Sequence, residues 1–308
     1  MNQHSTTADC PPPLSLDRIR RPARRLPAGA CDTHTHIFGP ASRFPFAADR
    51  PYTPPDASFE DLRALHRKLG IDRGVIVQPG CHGFDMSAVL DALEKGGGRY
   101  RAVCLLGPGA GLEDVRALDA AGVRGVRFNF VAHLRNTPWA EVRRVARLIE
   151  PLGWHLCMHS DGRSLPGLLP LLKDLGLPFV LDHMGRVSAA DGVDGAEFRA
   201  VLGLAGHPRA WVKVSGMDRI SSTGRRPYDD GRPFLRALID TMADQLLWGS
   251  DWPHPNVRGD MPDDGELVDA FTELCPDPGL LQAILVRNPQ ALYRFAEIAD
   301  EHTAERRP

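Results

Sequence analysis

The sequence predicts a single closed (β/α)8 barrel, of the TIM type. Three observations lead there. Short runs rich in Val, Ile, Leu and Phe alternate with longer stretches of helical periodicity from residue 29 almost to the C-terminus. Eight such strand candidates occur, and no glycine-rich phosphate turn of an open doubly wound sheet follows the first one. No low-complexity block or linker interrupts residues 29–296, so the 308-residue chain holds one barrel domain, placed at 27–308.

The expected strands are 30–36, 73–78, 101–106, 123–129, 154–159, 178–183, 210–215 and 246–250. Between them the segments 58–69 (SFEDLRALHRKL), 84–95, 112–121, 138–150, 165–175, 195–205 and 232–243 carry Leu, Ala or Val every three to four residues, as helices with one buried face do. Gly70, Gly122, Gly153 and Gly176 sit where helices should end before the next strand. Ahead of the barrel, residues 1–26 read as a flexible, solvated tail: Arg18, Arg20, Arg21, Arg24 and Arg25 cluster around Pro22. No apolar run of a signal peptide follows them, which gives a cytoplasmic expectation.

Composition narrows the function. With 37 basic and 39 acidic residues, a net charge of −2 offers no global field for nucleic acid, and no membrane span is expected. Six cysteines without a CxxC pair signal neither a zinc knuckle nor a dithiol redox site. Homo-oligomerisation is compatible with this composition.

Barrel active sites gather at the C-terminal ends of the strands, where reactive side chains concentrate here. The first strand ends in Asp32-Thr33-His34-Thr35-His36, the fifth in His159, the sixth in His183, and the eighth runs into Asp251. Alternation along a strand puts His34 and His36 on one side. Imidazoles with a carboxylate suit one divalent ion, Zn²⁺ or Mn²⁺, with His34, His36, His159 and Asp251 as ligands. Alternatively, Asp251 acts as a general base without metal while His34, His36 and His183 polarise a carbonyl. Either way, hydrolysis is the natural chemistry. Around the same rim, Arg127, Asn129, Arg186, Lys213 and Arg219 form a local anion site, and Tyr52 could add a hydroxyl.

The ordered motifs GACDTHTHIFGP (29–40), RPYTPPDA (50–57), GVRGVRFNF (122–130), DHMGR (182–186), WVKVSG (211–216), WGSDWPHPN (248–256) and MPDDGELVD (261–269) resemble the 2-pyrone-4,6-dicarboxylate lactonases and their relatives in the amidohydrolase superfamily, amidohydrolase-related family 2. The resemblance implies hydrolytic opening of an anionic lactone in aromatic-compound catabolism. His34, His36 and His183 would surround the scissile carbonyl, Asp251 would handle the water proton, and Arg127, Arg186 and Tyr52 would bind substrate. It also implies a metal-free centre with tyrosine where this chain has His159, and an arginine near His133, where this chain has Arg135. Those departures point to another anion, such as the sulfonate of 4-sulfomuconolactone. The competing chemistry is a metal-dependent decarboxylase of a small acid on the same barrel.

Overall fold

The computed structural model describes residues 8–131, 137–257 and 259–297. Its eight parallel barrel strands are β1 (Cys31–Thr35), β2 (Arg73–Val77), β3 (Tyr100–Cys104), β4 (Val123–Phe130), β5 (His155–Ser160), β6 (Phe179–Leu181), β7 (Ala210–Lys213) and β8 (Leu246–Leu247). Each pairs with its sequence neighbours. The seam between β1 and the residues after β8 closes through Thr33 N–H donating to the Trp248 carbonyl (2.9 Å) and Asp251 N–H donating to that of His34 (2.8 Å). The expected eight-stranded barrel is therefore the observed fold.

All seven expected helices form, within a few residues of their expected ends, and an eighth follows β8. The first, α1 (Phe59–Leu69), starts at a reciprocal cap in which Asp61 N–H donates to Ser58 Oγ while Ser58 N–H donates to Asp61 Oδ2, and stops at Gly70 with φ 78°. The rest are α2 (Ser87–Lys95), α3 (Leu112–Ala121), α4 (Trp139–Ile149), α5 (Leu165–Asp174), α6 (Ala196–Leu202), α7 (Arg232–Met242) and α8 (Asp264–Leu274), the last capped by Asp263.

Alternation along the strands sorts the core into two layers. Ile76, Ala102, Leu156, Phe179 and Leu246 pack outward against the helices. Val75, Val77, Val103, Cys157, Val180 and Leu247 fill the barrel with Tyr293 and Phe295, which plug its N-terminal end. The polar residues further along the inward faces thereby gather at the opposite, C-terminal end.

The structure lays the described part of the expected tail along the barrel. Ala8–Asp9 pairs with Tyr52–Thr53, and Ile19 and Leu26 are buried. Ala23 N–H donates to Asp269 (2.7 Å), and the Arg20 guanidinium pairs with Glu266 on α8. The basic cluster thus meets an acidic helix face, and its two apolar residues supply the anchor that a reading by charge alone overlooks. No helix among the described residues is long and apolar enough to cross a membrane.

Candidate active site

Two strand ends, those of β1 and β6, bring three imidazoles to the one carboxylate that follows β8. In β1 the pairing register shifts between Asp32 and Thr35, so that His34 and His36 face the barrel while Asp32 turns outward to His66 on α1 (3.6 Å). His36 Nδ1 lies 2.7 Å from the Val77 carbonyl, which can only accept. In the neutral ring the proton is therefore on Nδ1, and the Nε2 lone pair faces the site. The nitrogens His36 Nε2, His34 Nε2 and His183 Nε2 lie 3.3, 3.6 and 3.9 Å from Asp251 Oδ1.

His183 reaches this centre because the chain turns sharply after β6. Its φ is 53°, Arg186 has 49° and Asp251 68°, left-handed values that bulky residues rarely adopt and that concentrate at functional sites. Close approach also demands glycine here: a Cβ on Gly249 would lie 2.7 Å from that of His34, and one on Gly216 2.8 Å from that of His183.

The other Asp251 oxygen, Oδ2, accepts from Arg219 Nε (3.0 Å) and Nη2 (2.7 Å). Burial would raise the carboxyl's pKa, but Arg219 first and His183 next outweigh it and hold Asp251 well below the usual carboxylate range. It is ionised at neutral pH. Arg219, expected to face a substrate anion, is engaged by Asp251 and also contacts Asp218 (3.3 Å).

Beneath the imidazoles lies a buried polar layer. Lys213 Nζ is 3.1 Å from Asp182 Oδ1 and 3.1 Å from His34 Nδ1, and Cys157 Sγ donates to Asp182 Oδ1 (3.1 Å). Lys213 is fully buried with its ammonium already paired, and so cannot serve as the substrate-anion donor expected from sequence. Burial, then Lys213, pushes the His34 pKa down to about 4. Burial also carries His183 well below its ordinary value, with Ser215 Oγ 3.0 Å from its Nδ1.

On the rim, His159 Nδ1 is 3.2 Å from Asn129 Oδ1, while its Nε2 is 3.4 Å from Arg186 Nη1. Guanidinium only donates, so His159 Nε2 accepts and Nδ1 carries the proton. The two groups of potential metal ligands among the described residues are His34, His36 and Asp251, and His34, Asp182 and His183. His159 belongs to neither, which separates it from the expected ligand set because Arg186 takes its free nitrogen. Arg127, on β4, approaches Asp182 Oδ2 through Nε (3.3 Å), whereas Arg186 keeps a partly exposed side chain. Tyr52 is buried beside Phe38. His133 and Arg135 lie outside the described residues.

Sequence reasoning assigned no role to Asp182 or Cys157. Both follow from the same alternation as Val180, two residues before Asp182, and His159, two after Cys157.

Known proteins resemble this chain along nearly its whole length. It is 43% identical over 287 residues to a 2-pyrone-4,6-dicarboxylate hydrolase of Comamonas testosteroni, covering 90% of this chain and 94% of the relative. Against a 4-sulfomuconolactone hydrolase of Rhizobium radiobacter it is 42% identical, covering 87% and 91%. A solved structure of a probable 2-pyrone-4,6-dicarboxylic acid hydrolase from Acinetobacter baumannii, with citric acid bound, superposes with a TM-score of 0.77 at 26% identity, covering 87% of this chain and 100% of the other. The amidohydrolase family model matches residues 31–295. That match runs from the first residue of β1 to the aromatic plug of the barrel, and the chain belongs to the amidohydrolase family.

Proposed function

We propose that this protein is a lactone hydrolase that opens an anionic lactone, 2-pyrone-4,6-dicarboxylate or a relative such as 4-sulfomuconolactone. The observation that carries the reading is an ionised, buried Asp251 ringed by three imidazoles on one oxygen and clamped by Arg219 on the other. Arg127 and Arg186 would hold the substrate's anionic groups, with Asn129 and Tyr52 lining the pocket. The lactone carbonyl would lie among His34, His36 and His183. Asp251 would take a proton from water as its oxygen bonds to the acyl carbon. The acyl–oxygen bond then breaks, leaving a new carboxylate and an enol or alcohol that takes up a proton. The competing decarboxylase is not favoured, since both curated relatives named above are hydrolases.

His36 Nε2 and Asp251 Oδ1, two acceptors 3.3 Å apart, need a proton or a cation between them, so these two residues fit a divalent ion, with His34 as a third ligand only when its Nε2 carries no proton. Their nitrogen and oxygen donors suit Zn²⁺ or Mn²⁺, which when bound would polarise the carbonyl and acidify water. The metal-free reading uses the same Asp251 and is favoured by the contact of Lys213 with His34 Nδ1.

A spectrophotometric panel of pyrone dicarboxylate, sulfomuconolactone, muconolactone and sugar lactones tests the function, with elemental analysis and assays before and after chelation. Ring opening of the doubly anionic lactones in preference to the sugar lactones is expected; CO2 release, or no turnover anywhere on the panel, would refute the reading. About one equivalent of metal whose removal abolishes turnover, and whose return restores it, identifies the cofactor. Full turnover with less than about a tenth of an equivalent assigns carbonyl polarisation to the imidazoles.

A further inference from the structure

We propose that Lys213 is a tautomer-setting residue: its ammonium, anchored by Asp182, donates to His34 Nδ1 and thereby fixes the ring proton on Nε2, the nitrogen that faces Asp251. An ammonium carries three protons and no lone pair, and this one is fully buried. Three acceptors surround it: Asp182 Oδ1 at 3.1 Å, His34 Nδ1 at 3.1 Å and Cys157 Sγ at 3.7 Å. A proton on His34 Nδ1 would point an N–H at the ammonium and leave one ammonium proton without an acceptor, a costly arrangement out of water.

Asp182 does not need the His34 proton. Its Oδ1, although 3.3 Å from His34 Nδ1, already receives Lys213 and the Cys157 thiol, and its Oδ2 faces Arg127 Nε at 3.3 Å. The opposite nitrogen, His34 Nε2, is buried with no hydrogen-bond partner among the described residues. Lys213 thus turns it into a donor aimed at the position of the lactone carbonyl and withholds its lone pair from a cation. His34 and His36, two residues apart, carry opposite tautomers: His36 is held as Nδ1–H by the Val77 carbonyl. Lys213 acts through His34 and touches no substrate.

The test is a long-range ¹H–¹⁵N spectrum of the full chain labelled at histidine nitrogens, recorded after chelation, with the His34 signals identified by their loss in His34→Gln. Wild type should show His34 as the Nε2–H tautomer, and Lys213→Met should move the proton to Nδ1, facing Asp182. A wild-type His34 protonated on Nδ1, or a folded Lys213→Met in which the tautomer is unchanged, would overturn the proposal. If Lys213→Met does not fold, the wild-type spectrum alone decides. The kinetic consequence rests on the lactonase reading, whereas the spectrum does not: loss of one preorganised carbonyl donor should lower kcat by about 10²-fold with little change in KM. A tautomer switch without that loss would retain the assignment of Lys213 and contradict the role of His34 in hydrolysis.

Discussion

Replacing Arg219 by Met separates two roles for this residue. The substitution keeps an apolar stem of similar length and removes both hydrogen bonds to Asp251 Oδ2, at 3.0 and 2.7 Å. Removing one partner of a buried ion pair costs roughly 3–5 kcal/mol, because the other charge is left uncompensated. Lost stabilisation of the charged carboxylate appears as a higher pKa, so the substitution moves Asp251 upward from its depressed position. A base whose folded pKa is raised loses its charge sooner as pH falls. The acid limb of kcat/KM should therefore move upward, with losses of similar size for anionic and neutral lactones, and denaturant unfolding should show the lower stability. A loss confined to KM for the anionic lactone, with the acid limb unmoved, would make Arg219 a reader of substrate charge and refute the clamp on Asp251.

Arg127→Met and Arg186→Met should each raise KM for anionic lactones by about 10- to 100-fold, from charge-assisted hydrogen bonds worth roughly 1.5–3 kcal/mol, and affect a neutral lactone of the same size far less; equal losses would argue against anion recognition. Stability should fall with acid. Burial pushes His34 down to about 4 and His155 to about 3, and lowers His159 and His183 well below their ordinary value. Groups depressed in the folded state bind protons first in the unfolded chain, so their stability is present above pH 6.5 and declines below it by about 1.4 kcal/mol per pH unit for each histidine. His254, which Asp264 raises against the burial penalty, contributes with the opposite sign and is outnumbered. A Tm unchanged between pH 7 and pH 5 would contradict the buried neutral imidazoles.

The barrel was legible because its signal is repeated: eight strands bury both faces and read as short continuous apolar runs, and the helices between them keep their period. Alternation put His34 and His36 on one side of the first strand, and both lie beside Asp251. What alternation does not convey is backbone departure from the strand. His183 joins Asp251 through a left-handed turn, and the register shift in β1 sends Asp32 outward to His66. Nor does residue type reveal which charges are already paired: Lys213 and Arg219 looked like hands for a substrate anion, and the fold commits them to Asp182 and Asp251. His159 offered a ligand nitrogen in sequence, and Arg186 occupies it.

Turnover of an anionic lactone in ¹⁸O-water by wild type and Asp251→Asn tests the central claim most directly. Asparagine keeps the shape of the side chain but cannot take a proton from water. One ¹⁸O in the new carboxylate, one proton released per ring opened, no CO2, and a fall in kcat of at least about 10²-fold in a folded Asp251→Asn are the predicted results. Release of CO2 by the wild type, or a kcat near the wild-type value in Asp251→Asn, would contradict hydrolysis driven by this carboxylate.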